Sequence, residues 1–282
     1  MKRIFVFIFL TIFLLDSAYS MSWPFVSAVL IRNFGSNDRG RPVLGMVFSG
    51  NTEVIAAESG EVIFSRGRES AASRLPSPFG AWTALDHGDG LISIYSRYAD
   101  TQVLETRIER QQPIASSGAS GWTSQDGFYF LVYDRRERRW INPVMIITPH
   151  LDTRAPQILS VQMRNAQGNP VQAGNLSQGR YTVTVTTNTP AAPRGYFFAP
   201  LRIICLINGA ETGSLNFESI SAKDGVLMVY RNGLFPASQV YSNFPAFETA
   251  DVFLSRGQAN MEIIVQDIAG NSRSVFNRMV VN

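Results

Sequence analysis

Two histidines, His87 and His150, and one cysteine, Cys205, are the only imidazole and thiol groups in the 282-residue chain. His87 stands in Asp86-His87-Gly88-Asp89-Gly90, where two carboxylates and an imidazole could begin a metal site. Neighbours in sequence point different ways along a strand and its turn, so these three cannot readily close on one ion. A structural role is expected for His87 and a turn-capping role for His150. Cys205 lies within the apolar run 201–207. It reads as a buried core residue, and a single cysteine makes no internal disulfide. A serine hydrolase would need Gly-x-Ser-x-Gly, a spacing that Gly118-Ala119-Ser120-Gly121 lacks. No phosphate-cradling loop followed by Lys and no dinucleotide fingerprint occurs. The remaining chemistry is that of arginine, whose planar fork suits carboxylates. Arg97 closes a strand-like run, Arg41 sits in a Gly- and Pro-bearing stretch, and Arg135 to Arg139 form a run that reads first as a solvated hairpin tip.

The elements that must position these groups are short. β-branched and aromatic runs alternate with Gly, Pro, Asn and Ser, which argues an all-β protein. The most legible piece runs from Gly80 to Tyr98. It parses as a hairpin with Trp82, Ala84 and Asp86 alternating on one arm, His87 to Gly90 at the joint, and Leu91 to Tyr98 on the other arm. Hydrophobic residues at 45% and charged residues at 17% fit a globular chain, long enough for two domains. The formal net charge of +3 is too weak to argue a nucleic-acid partner. Lys2 and Arg3 precede an apolar run from Ile4 to Leu15, too short to span a bilayer, and Ala18-Tyr19-Ser20 offers a cleavage site. Residues 1–20 are therefore expected to be a signal peptide cut after Ser20, with the protein periplasmic or secreted and without a transmembrane span.

Several landmarks in order resemble the lysostaphin-type (LytM-like) zinc endopeptidases, which cut peptidoglycan cross-bridges. Trp23-Pro24 precedes a run from Val29 to Gly35. Asn51-Thr52-Glu53-Val54 leads into Ala56-Ala57 and Gly60-Glu61-Val62. The central hairpin follows, then Ser117 to Gly121, the run Gly127 to Tyr133, and Trp140-Ile141-Asn142-Pro143. The resemblance implies an all-β, lysostaphin-like β-sheet core domain over 22–148. Polar, proline-bearing residues 66–79 form a connection somewhat longer than the family's, a loop over the groove or a surface insertion.

The same resemblance locates the family's working residues, and none is present. Aligned from Asn51 to Val54, the first zinc-ligand pair falls at Arg41 and Gly45. Aligned from Asn142-Pro143, His-x-His falls at Phe128 and Phe130, and the catalytic His of Tyr-x-His-Leu falls at Arg97. The chain is thus expected to be no enzyme, to hold no metal or cofactor, and to have no catalytic residues. A degenerate groove lined by Arg41, Arg97, Phe128 and Phe130, with Tyr95 and Tyr98 bracing Arg97, would bind peptidoglycan or dock on a cell-wall amidase or another envelope protein. A structural or adhesive envelope module and an active metallopeptidase with atypical ligands are the alternatives.

Asp152-Thr153-Arg154-Ala155-Pro156 opens a second unit, 152–282, expected to fold independently of the first. Strand-like runs at 158–163, 181–187, 201–207, 227–231, 261–266 and 275–281 are separated by turns such as Asn208-Gly209 and Asn232-Gly233. They argue a β-sandwich. Val265 to Asn271 resembles the end of bacterial Ig-like domains.

Overall fold

A computed structural model describes residues 21–67, 77–101, 105–123, 125–147, 153–172 and 176–282. The expected signal peptide, His150, most of the inter-unit linker and residues 68–76 of the expected insertion lie outside the described residues. No helix among the described residues is long and apolar enough to cross a membrane.

The fold is all-β. The first unit contributes β1 (Val29–Arg32), β2 (Met46–Ser49), β3 (Glu53–Ile55), β4 (Gly60–Arg66), β5 (Ala81–Asp86), β6 (Leu91–Thr101), β7 (Arg107–Ile108), β8 (Pro113–Ser117), β9 (Gly127–Asp134) and β10 (Arg139–Ile141). The hairpin legible in the sequence is β5–β6. Its turn needs left-handed backbone at three consecutive residues, Gly88, Asp89 and Gly90, with φ of 79°, 49° and 83°. Two glycines and an aspartate supply it at little steric cost.

β9 is the central strand. β6 lies along one edge, while β2 and β10 share the other, all antiparallel. Alternation along β9 feeds two cores. Phe128, Phe130 and Val132 join Met46, Phe48, Leu85 and Tyr95 on one face. Tyr129 and Leu131 join Ile31, Val43 and Val47 on the other.

The second unit contains β11 (Gln157–Asn165), β12 (Pro170–Val171), β13 (Gly179–Asn188), β14 (Arg202–Ile207), β15 (Ala210–Lys223), β16 (Val226–Arg231), β17 (Leu234–Pro236), the short helix α1 (Ala237–Val240), β18 (Phe247–Leu254), β19 (Gly257–Gln266) and β20 (Ser272–Val281). One sheet runs β12-β11-β13-β18 and the other includes β20-β19-β14-β15. They face each other across a core in which Val183, Val185, Val252 and Leu254 of the first meet Ile203, Leu215, Ile263 and Val265 of the second. Cys205 is fully buried there, as its neighbours imply. The six runs expected from sequence are strands. β15 and β18 were not foreseen, because Ser, Asn, Glu and Thr dilute their apolar pattern.

The two units share more than a linker. β10 pairs with β15, Arg139 to Ile141 opposite Ser221 to Ser219, so one sheet runs through both. Phe34, from the first unit, is fully buried in the sandwich core. Asn33 exchanges a pair of hydrogen bonds with the backbone of Ala199 at 2.8 and 2.9 Å. Tyr241 donates its hydroxyl to the Gly35 carbonyl at 2.8 Å, and the Asn142 amide donates to the Phe217 carbonyl at 3.0 Å. The two units, expected to be joined near residues 149–156, thus also share an extensive interface.

Candidate functional site

Arg97 is placed by a break in alternation. Tyr95 and Tyr98 are both fully buried in the core beneath β6. Two residues between them cannot both obey a period of two. The β5–β6 register shifts at Ala81–Trp82, opposite Ser96 and Tyr98, and Arg97 takes φ of 72°. Such a bulge re-aims a side chain. The Arg97 N–H donates to the Phe79 carbonyl at 2.9 Å, and the guanidinium lies over the Tyr129 ring, 4.9 Å from its centroid. Tyr129 therefore braces Arg97; Tyr95 and Tyr98, expected to do so, are committed to the core below.

Arg97 Nε is buried and makes no hydrogen bond. Burial pulls the Arg97 pKa below its ordinary value, and the positive charge of Arg32 adds to this against the favourable Tyr129 and Asp38. Burial likewise pushes the Tyr129 phenol upward. The Tyr129 oxygen accepts the Leu44 N–H at 2.9 Å, tying the ring to the segment that follows Arg41.

Arg41 shares a cavity of about 190 Å³ with Arg97, Arg32, Asp38 and Tyr129, walled by Val43 and Val47. A tight turn carries it: the Asp38 N–H donates to the Arg41 carbonyl at 2.7 Å, with Arg39 and Gly40 at φ of 53° and 88°. Arg32 Nη2 lies 3.5 Å from the Asp38 carboxylate. Sequence reasoning found Arg41 and Arg97. It missed Arg32, Asp38 and Tyr129, of which Tyr129 could have been found by phasing β9 from its neighbours.

Phe128 and Phe130 do not line the cavity with their rings. Phe128 stacks on Phe48 at 4.7 Å, and Phe130 packs against Tyr95 at 5.2 Å, both in the core on the opposite face of the sheet. Phe128 borders a separate small cavity with Arg97 and Arg32, whereas Phe130 borders neither cavity, so the expected groove of Arg41, Arg97, Phe128 and Phe130 is not brought together as one. The β9 side chains on the Arg97 face are Tyr129 and Leu131. Gly45 precedes β2 on that face; a Cβ there would lie 2.9 Å from Leu131 Cγ and 2.1 Å from the Phe130 carbonyl oxygen.

His87 is held away from this cavity. Its Nδ1 faces the Ser59 carbonyl at 2.8 Å, which can only accept, so Nδ1 carries the proton. Nε2 lies 2.7 Å from Ser93 Oγ, itself 3.1 Å from the Tyr95 hydroxyl. Burial lowers the His87 pKa, opposed by the Ser59 bond and the charges of Glu58 and Asp86. Ser120 is equally structural: its oxygen accepts the Ala81 N–H at 2.9 Å. Arg135 pairs with Asp86 at 3.3 Å from the exposed hairpin tip.

The family model of peptidase family M23 matches residues 43–143. Residues 43–143 form an M23 domain. A second family model matches residues 155–282. No curated protein matches. Among solved structures, the SpoIIQ–SpoIIIAH pore-forming complex aligns at 18% identity over 46% of this chain and 92% of that one, TM-score 0.37. The catalytic domain of a point mutant of the prophage-encoded M23 protein EnpA from Enterococcus faecalis aligns at 16% identity over 45% and 95%, TM-score 0.37. Lysostaphin from Staphylococcus simulans aligns at 15% identity over 75% and 86%, TM-score 0.36.

The described residues of the M23 domain do not fit the zinc ion of a metallopeptidase. Zinc takes His, Cys or carboxylate ligands in a tetrahedron. Among the described residues no group of three or more His, Cys, Asp or Glu converges. The groups around Gly45 and Tyr129 are arginines, a phenol whose ionisation is suppressed, and the aliphatic Leu131.

Beyond the cavity, an aromatic row extends toward the outer strand. Tyr129 and Phe79 lie 6.4 Å apart, Phe79 and Trp82 6.0 Å, and Trp82 stacks on Phe64 at 4.2 Å. Phe64 is 45% exposed.

Proposed function

We propose that this chain is an exported M23-fold protein that performs no peptide hydrolysis and instead binds peptidoglycan or regulates a wall hydrolase. What supports the reading is packing and positive charge at the positions where the resemblance would put zinc ligands and the catalytic His. Leu131 packs against Gly45 and leaves no room there for a side chain, and Arg97 and Arg41 line a cavity with Tyr129. An arginine cannot shed its proton to become a ligand or a base. It can hold a carboxylate through two parallel hydrogen bonds, and wall stem peptides carry carboxylates. The row Tyr129–Phe79–Trp82–Phe64 supplies apolar faces of the kind on which sugar rings rest. The basic, apolar start of the chain, Lys2 to Leu15, supports export.

Cosedimentation with purified sacculi, run alongside assay of released soluble fragments, tests the reading. Retention without release is the expected result, with a parallel arm measuring whether a wall amidase is activated. Release of fragments abolished by a chelator would overturn it, as would absence of both retention and amidase activation.

A further inference from the structure

The cavity beside Tyr129 holds three guanidinium groups, Arg32, Arg41 and Arg97, against one carboxylate, Asp38. Its charge is uncompensated from within. Asp38 reaches Arg32 at 3.5 Å and makes no ion pair with Arg97 or Arg41. Arg97 Nε is buried without a partner, and the residue is held at a left-handed φ that a non-glycine residue rarely adopts. A half-buried cation whose buried Nε is an idle donor is costly unless an anion completes it. Strain of this kind persists where surrounding structure enforces it, and it clusters at ligand clamps.

The walls narrow the anion's identity. Pro42, Val43 and Val47 line the cavity beside the arginines, with Val47 paired across from Arg32. About 190 Å³, partly open to solvent, accommodates a carboxylate with a small aliphatic substituent. A phosphate or sulfate would satisfy the cations and leave the apolar wall unused. From this we infer that the cavity captures the terminal carboxylate of a wall stem peptide ending in a small aliphatic residue. Arg97 and Arg41 grip the oxygens, Val43 and Val47 contact the side chain, and Asp38 acts as the built-in competitor. The inference rests on the wall-binding reading and names the group recognised.

Titration calorimetry of the full chain with N-acetyl-D-alanyl-D-alanine tests it, with the C-terminal amide, inorganic phosphate and the L,L-dipeptide as comparison probes. The acid is expected to bind at least tenfold tighter than its amide and than phosphate. Arg97→Gln and Arg41→Gln each should weaken it tenfold or more, while Asp38→Asn should tighten it severalfold. Equal affinity for acid and amide, or a weakening by Asp38→Asn, would overturn the inference. Tighter binding of phosphate would make this a general anion site, and tighter binding of the L,L-dipeptide would make it a reader of protein C-termini; both also overturn it. Should Arg97→Gln fail to fold, Arg41→Gln decides, because its side chain is exposed. Failure of the dipeptide with sacculi still retained would sink this inference alone. Loss of both sacculus retention and amidase activation would sink the wider reading.

Discussion

Leu131 occupies the space that a side chain at Gly45 would need. A Cβ built on Gly45 falls 2.9 Å from Leu131 Cγ and 2.1 Å from the Phe130 carbonyl oxygen. The second contact is with backbone, so shortening Leu131 does not relieve it. The β2–β9 approach at this point is therefore built on the absence of a side chain, and a carboxylate could not stand at position 45 without moving a strand.

Gly45→Ala should accordingly destabilise the chain by about 1–3 kcal/mol, the usual cost of overpacking a close-packed site. Denaturant unfolding measures it. A change within a few tenths of a kcal/mol would mean that the strands part easily here, and the packing account of position 45 would fail.

Prolonged dialysis against EDTA should leave the melting temperature unchanged, and elemental analysis of protein purified without chelator should find less than one zinc per chain. The groups around Gly45 offer arginine, phenol and aliphatic side chains in place of ligands, so metal adds nothing to folding. A chelator-induced fall in melting temperature would require a ligand set elsewhere.

Much of this architecture is legible in sequence, and the misreadings have physical causes. The β5–β6 hairpin announces itself because His87 to Gly90 combines turn chemistry with alternation on both arms. β9 does the opposite. Every residue from Gly127 to Val132 is buried, so the period-two pattern carries no phase, and a one-residue slip exchanged Phe128 and Phe130 for Tyr129 and Leu131. Arg32 and Asp38 reach Arg97 only through tertiary packing, and no local pattern marks them. The clasp between units is silent for the same reason. Asn33, Gly35 and Asn142 look like ordinary loop residues until Ala199, Tyr241 and Phe217 are brought against them.

His87 should make stability fall as the solution is acidified. Burial holds its folded pKa below the unfolded value, so the unfolded chain binds the proton first. The stability is fully present above the unfolded pKa of about 6.5 and is lost as pH falls from there toward the folded value. Comparing denaturant midpoints at pH 7.5 and 5.5 should show a drop in the parent chain that is smaller in His87→Gln. An equal drop in both would assign the pH dependence to carboxylates.

The M23 domain should not reach its full stability alone. Cutting after Ile147 uncovers Phe34 and breaks the bonds from Asn33, Asn142 and Gly35 to the sandwich. Burying one Phe contributes roughly 1.5–3 kcal/mol, and each of these hydrogen bonds, exchanged for bonds to water in the fragment, about 0.5–1.5 kcal/mol. Residues 21–147 should therefore unfold at least about 3 kcal/mol more easily than the same unit in the full chain. Adding 153–282 in trans should recover part of the loss. A fragment as stable as the parent would restore the picture of two independent units that the linker composition suggests.

Arg97→Gly separates binding from folding. In the folded chain Arg97 sits at φ of 72°, a conformation that costs an L-residue roughly 1–2 kcal/mol and costs glycine almost nothing. Its buried Nε also lacks a partner. Against this stand the guanidinium–Tyr129 contact, worth about 0.5–2 kcal/mol, and the greater freedom of glycine when unfolded, roughly 0.5–1 kcal/mol. The opposing effects are of similar size, so the midpoint should move by no more than about 1 kcal/mol in either direction. Sacculus retention should nevertheless fall at least tenfold, because glycine carries no charge to hold the wall carboxylate proposed for Arg97. A stability loss well beyond that range, with retention intact, would show that Arg97 serves the fold, and the wall contact would have to be sought along the Phe79–Trp82–Phe64 row or on the sandwich.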